Sequence, residues 1–142
     1  MDDDRSRQSR QSRLARVALR PALLAFGAYH LGIGIWMAAG PRSFFEKLAP
    51  YGDYSPHFIR DIATFYLALG AVQIVAAARA RWQLPVLVLT VVQYTLHAIN
   101  HLIDIGKTHP HSKGVVNFVV ITAVGVVFWV LLRAAAERDE HR

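Results

Sequence analysis

The sequence predicts an all-α protein, a bundle of four transmembrane helices, and three observations carry that expectation. Four runs, 21–39, about 58–78, 84–105 and 115–132, each approach the roughly 20 apolar residues that span a bilayer. The first and last show no polar stripe of the kind that faces water in a soluble bundle. Hydrophobic residues make up 54% of the chain and charged residues only 18%, below the globular norm of about 25%. The 142 residues allow one domain.

Taken in order, residues 1–20 read as a basic cytoplasmic tail, unstructured at first and helical from Leu14. Asp2, Asp3 and Asp4 argue against a mitochondrial transit peptide, and no small-x-small site marks a cleaved signal peptide. The first apolar run ends at Gly40-Pro41. A short segment around Pro41-Arg42-Ser43-Phe44-Phe45 follows, read as lying on the outer membrane surface. With Trp36, Tyr51 and Tyr54 it forms an interfacial aromatic belt. Ser55-Pro56 reads as an N-cap with proline at the first helical position. Pro85 reads the same way for the third helix, and Gly106 as its end. The membrane domain covers 21–136, and 137–142 is a second cytoplasmic tail that includes His141.

Orientation follows from Lys and Arg near the span ends. One side collects Arg5, Arg7, Arg10, Arg13, Arg16, Arg20, Arg79, Arg81, Arg133, Arg138 and Arg142; the other has Arg42, Lys47, Arg60, Lys107 and Lys113. Eleven against five places both termini in the cytoplasm, in a bacterial plasma membrane. The net charge of +6 is thereby a topology signal, and nucleic acid is not an expected partner. With no cysteine, disulfides, thiolate metal sites and Fe–S clusters are excluded.

Polar groups inside hydrocarbon are costly, so each marks a possible site. Spacings of four, three and four put Gln93, His97, Asn100, His101 and Asp104 on one face of the third helix. His97 and His101 at i, i+4 suit one metal ion, with Asp104 as ligand or orienting carboxylate. The second helix adds His57 and Asp61 at i, i+4, with Arg60 beside them; the first adds His30 between Gly27 and Gly34, glycines that admit a neighbouring helix or a flat ligand. At 1.5 Å per residue, His30 lies roughly 13 Å and His97 roughly 12 Å from the outer face. The inner half offers only Gln73, Thr90 and Gln93. His109 and His111 read as a solvated outer turn.

Four readings of this cluster stay open. It is a hydrogen-bonded network that cross-links the helices, or a metal site of His97, His101, Asp104 and Asp61 with or without His30. Imidazole and carboxylate without thiolate suit Zn, Fe, Cu or Mn. It is otherwise a haem b site with His30 and His97 as axial ligands, or a proton relay through Asp61, His101 and Asp104 in a small proton-coupled carrier.

The surface segment Pro41-Arg42-Ser43-Phe44-Phe45, the Arg60-Asp61 start of the second helix and the run Leu67-Ala68-Leu69-Gly70-Ala71 resemble the DoxX-like group of small bacterial four-helix membrane proteins, over residues 20–135. The resemblance implies a compact four-helix bundle and association with a membrane oxidoreductase. The resemblance assigns no role to the face His97-Asn100-His101-Asp104. The functional expectation is a membrane protein that binds a metal ion or haem for redox or metal handling. Its alternative is a non-catalytic subunit or assembly factor, alone, with that oxidoreductase or as a homo-oligomer.

Overall fold

A computed structural model describes the backbone over residues 2–140 and the side chains over residues 19–137. The five N-terminal arginines up to Arg16, and Arg138, His141 and Arg142 of the C-terminal tail, lie outside the described side chains. Within these limits the protein is all-helical: α1 (Asp2–Ala39), α2 (Pro41–Lys47), α3 (Pro56–Ala78), α4 (Ala80–Ile103) and α5 (His111–Glu140). Four of them contain a stretch long and apolar enough to cross a membrane: Leu19–Ala39, Pro56–Ala78, Ala80–Ile103 and His111–Glu137.

Each boundary has a local cause. The helix of α1 begins at Asp2, ahead of the apolar span, where sequence reading expects an unstructured tail. Arg, Gln, Ala and Leu are good helix formers, and no Gly or Pro interrupts them before Pro21. Gly40 separates α1 from α2, its N–H donating to the Trp36 carbonyl at 2.8 Å. Ser55 caps α3 as expected: its Oγ accepts from the Phe58 N–H at 3.3 Å, and Pro56 opens the helix.

The expectation for Pro85 was a helix start, and the structure corrects it. The chain turns from α3 to α4 through Arg79 alone, an extended residue with φ −126° and ψ 101°, and α4 begins at Ala80. Pro85 therefore lies inside α4, exposed on its surface. It leaves only the Arg81 carbonyl without its helical donor, near the polar end of the span.

The helices pack as two close pairs, α1 with α3 and α4 with α5. Contacts of α3 with α4 and of α1 with α5 close the ring. Small residues set the first pair: a Cβ on Gly70 would come within 2.8 Å of the Gly27 carbonyl oxygen and of Leu31 N. Gly34 likewise abuts Leu67 of α3. The glycines flanking His30 thus admit a neighbouring helix, not a flat ligand.

Toward the termini the bundle is filled by Leu19, Leu23, Ala76, Leu87, Phe128 and Leu131. At the opposite end Phe44 of α2 packs with Met37, Ile59 and Ala63. The surface segment is thus partly a plug: Pro41 and Phe44 are buried while Arg42, Glu46 and Lys47 stay exposed. Outward, large apolar side chains stand open, among them Ile103 (71% exposed), Phe58 (62%) and Leu96 (60%). Continuous apolar surface of this kind fits hydrocarbon as the surrounding solvent.

Candidate functional site

The polar residues divide into two groups on either side of Tyr94. The first is sealed in the core. His30, Gln73 and Thr90 are completely buried, one each from α1, α3 and α4. His30 Nδ1 lies 2.7 Å from Gln73 Oε1 and His30 Nε2 lies 2.8 Å from the Tyr94 hydroxyl. Gln73 Nε2 donates to Thr90 Oγ1 at 3.3 Å, and Thr90 Oγ1 donates to the Val86 carbonyl at 2.7 Å.

One assignment of protons satisfies the whole chain. Tyr94 donates to His30 Nε2, His30 Nδ1–H donates to Gln73, Gln73 to Thr90, and Thr90 to the backbone. No buried side-chain nitrogen or oxygen lacks a partner among the described residues. This neutral network ties three helices together where apolar packing alone specifies little. Neither ring nitrogen of His30 is free for a haem iron, so the expected His30–His97 axial pair is not formed.

The second group faces open space. His97 and His101, one turn apart on α4, approach with Nε2 to Nε2 at 3.0 Å. Tyr51, from the connection between α2 and α3, brings its hydroxyl to 3.0 Å from His101 Nδ1, the two rings edge-on. Asn117 of α5 donates Nδ2 to the Leu48 carbonyl at 3.0 Å and reaches the Tyr51 oxygen at 3.4 Å. Lys113 adds a bond to the Glu46 carbonyl at 3.1 Å. These contacts hold segment 46–51 across the ends of α4 and α5 as a roof.

The expected carboxylates do not join the histidine pair. Asp104 is engaged by Lys107 at 2.7 Å, and Asp61 by His57 at 3.4 Å on the exposed face of α3. Arg60 donates to the Ala38 carbonyl at 3.4 Å. His109 and His111 are exposed in the loop before α5 and at its first residue. Among the described residues no group of three or more His, Asp or Glu is placed to hold a metal ion.

Beneath the roof lies an open-sided cavity of about 740 Å³, with Tyr29, Val116 and Val120 of its wall about half exposed. Its apolar walls include Ile33 and Met37 of α1, Ile62 and Phe65 of α3, and Val116, Val120 and Ile121 of α5. Its polar wall is the stripe Gln93, His97, Asn100 and His101 of α4, joined by Tyr29, Tyr66, Asp61 and Asn117. A second chamber of about 180 Å³ lies toward the α2 end, lined by Tyr51, Asp53, Asp104 and others. Asn100 and His101 line both chambers.

Sequence reading thus identified the α4 stripe but missed three partners. Sequence reading places Tyr51 in the interfacial belt and gives Asn117 and Thr122 as the only polar residues of the fourth run. It leaves Tyr94 out of the polar stripe, although Tyr94 stands at the stripe's edge, three residues before His97. The available signal was a polar residue in each adjoining run. Comparison with protein-family models, curated proteins and solved structures finds no match.

Proposed function

We propose that the protein is an integral membrane binding protein whose cavity takes a small lipid-soluble molecule, with its polar head on the His97 stripe. The observation that carries this reading is the cavity itself. Its volume of about 740 Å³ falls within the roughly 300–1,000 Å³ of small-molecule sites, and apolar walls with a few convergent polar groups are their usual lining. The lining residues come from the half of each span nearer α2, while the other half is filled by Leu19, Leu23, Leu87, Phe128 and Leu131. A site confined to that half does not extend through the bundle, which disfavours a carrier that must open to both sides. The Lys/Arg bias supports an orientation with that side outside a bacterial plasma membrane and both termini in the cytoplasm. The DoxX-like resemblance adds a membrane oxidoreductase as a candidate partner, which the cavity does not require in order to bind.

A second reading keeps the metal ion, and the His97–His101 geometry favours it. Two imidazole nitrogens on a tetrahedral Zn²⁺, each at about 2.0–2.1 Å, stand about 3.3 Å apart, close to the 3.0 Å found here. The pair fits half a coordination set. Asp61, which lines the same cavity, or the bound molecule itself would have to complete it.

Photolabelling tests the cavity. A lipid-soluble phenyl diazirine should label Gln93 and His97 as well as the lipid-facing Leu96 and Ile99. Val120→Trp, which fills the cavity from α5, should cut labelling of Gln93 and His97 at least ~5-fold and leave Leu96 and Ile99 unchanged. Labelling confined to Leu96 and Ile99 in the unaltered protein would remove the proposal.

A further inference from the structure

The geometry points to a carbonyl oxygen as the head group this cavity recognises, and to Tyr51 as the positioning residue that sets this preference through His101. The inference rests on the ligand-binding reading above. It follows the protons along the contacts from Asn117 to His97. Asn117 Nδ2 already gives the Tyr51 oxygen a donor at 3.4 Å, leaving the phenol proton for His101 Nδ1 at 3.0 Å. A phenol donates better than it accepts, and a neutral imidazole offers one bare nitrogen as acceptor. With Nδ1 accepting, His101 carries its proton on Nε2. That N–H then donates to His97 Nε2 at 3.0 Å. His97 must therefore carry its own proton on Nδ1.

His97 Nδ1 has no protein partner among the described residues, and His97 lines the large cavity. The cavity is thus offered a fixed N–H donor at this point, with no competing acceptor on the same ring. A lipid-soluble ketone, ester or quinone satisfies it with its oxygen alone. A hydrocarbon leaves it unpaired, and an alcohol also accepts from it but must place its own proton on another wall group. His101 lines both chambers and Tyr51 the smaller one, so the His97 tautomer is fixed only while the Tyr51–His101 contact holds.

The test uses the full chain in detergent micelles with ¹⁵N-labelled histidine. Nitrogen NMR should find His97 protonated on Nδ1 and bare on Nε2, with His101 protonated on Nε2 and bare on Nδ1. Tyr51→Phe, which keeps the ring and removes only the hydroxyl, should leave His97 distributed over both tautomers. Carbonyl-¹³C 2-tridecanone should bind about 5-fold more tightly than tridecane, the range of one net hydrogen bond. Its carbonyl resonance should move as for a hydrogen-bonded ketone, and His97→Phe should abolish both the preference and the movement. His97 protonated on Nε2, or equal binding of ketone and alkane, overturns this inference and leaves the cavity reading intact. Binding of neither probe overturns the cavity reading itself.

Discussion

Gly70→Ala is expected to lower the stability of the bundle by about 2–3 kcal/mol, measured by SDS titration in dodecyl maltoside with helical circular dichroism. The new Cβ would stand 2.8 Å from the Gly27 carbonyl oxygen, from Leu31 N and from Leu31 Cγ. Two of these atoms are backbone, so α1 as a whole must move away from α3. Gly27→Ala should cost less, about 1 kcal/mol. Its nearest obstacle, at 2.7 Å, is Cδ1 at the tip of Ile74, which can turn aside, although the Gly70 carbonyl oxygen follows at 3.1 Å. Gly32→Ala meets nothing within 4 Å and should be neutral or stabilising by up to about 1 kcal/mol, through helix propensity. The order of the three separates close helix approach from a general effect of removing glycine. It also bears on the site, because the α1–α3 distance sets the separation of Tyr29 and Ile33 from Tyr66 across the cavity.

The second large effect is expected at His30. His30→Leu removes one acceptor and one donor from the sealed network, leaving Gln73 Oε1 and the Tyr94 hydroxyl without partners. An orphaned buried group costs about 1–3 kcal/mol, while hydrogen bonds between helices in membranes average about 0.6. A loss of about 2–3 kcal/mol falls between these bounds for two orphans. The double variant His30→Leu, Gln73→Leu should be no less stable than His30→Leu alone, since it removes the orphaned amide. Thr90 keeps its bond to the Val86 carbonyl in both. Additive losses in the same SDS titration would mean that the two residues act independently.

Much of the fold was legible because its causes are local. Apolar run length gave the four spans, Ser55-Pro56 gave the start of α3, and i, i+4 spacing gave the His97–His101 pair. Pro85 misled because a proline early in a helix looks the same from sequence whether it stands at the first position or the sixth. The interior was less legible because periodicity says which face a residue occupies, not which neighbour it meets. His30 and Gln73 are 43 residues apart, and their contact depends on how α1 and α3 rotate against each other. His30 and His97 were matched by depth along the bilayer. Depth does not distinguish the centre of the bundle from the cavity wall, and the two rings belong to separate networks. Tyr51 was least accessible of all, because a roof that folds back onto α4 leaves no periodic trace.

Native mass spectrometry of the intact chain, purified from its own membrane in mild detergent, tests the central claim most directly. The account predicts one bound organic molecule per chain in the unaltered protein, released by solvent extraction and absent from Val120→Trp. A bare chain mass in both proteins, or an added mass equal to a single metal ion, would contradict it.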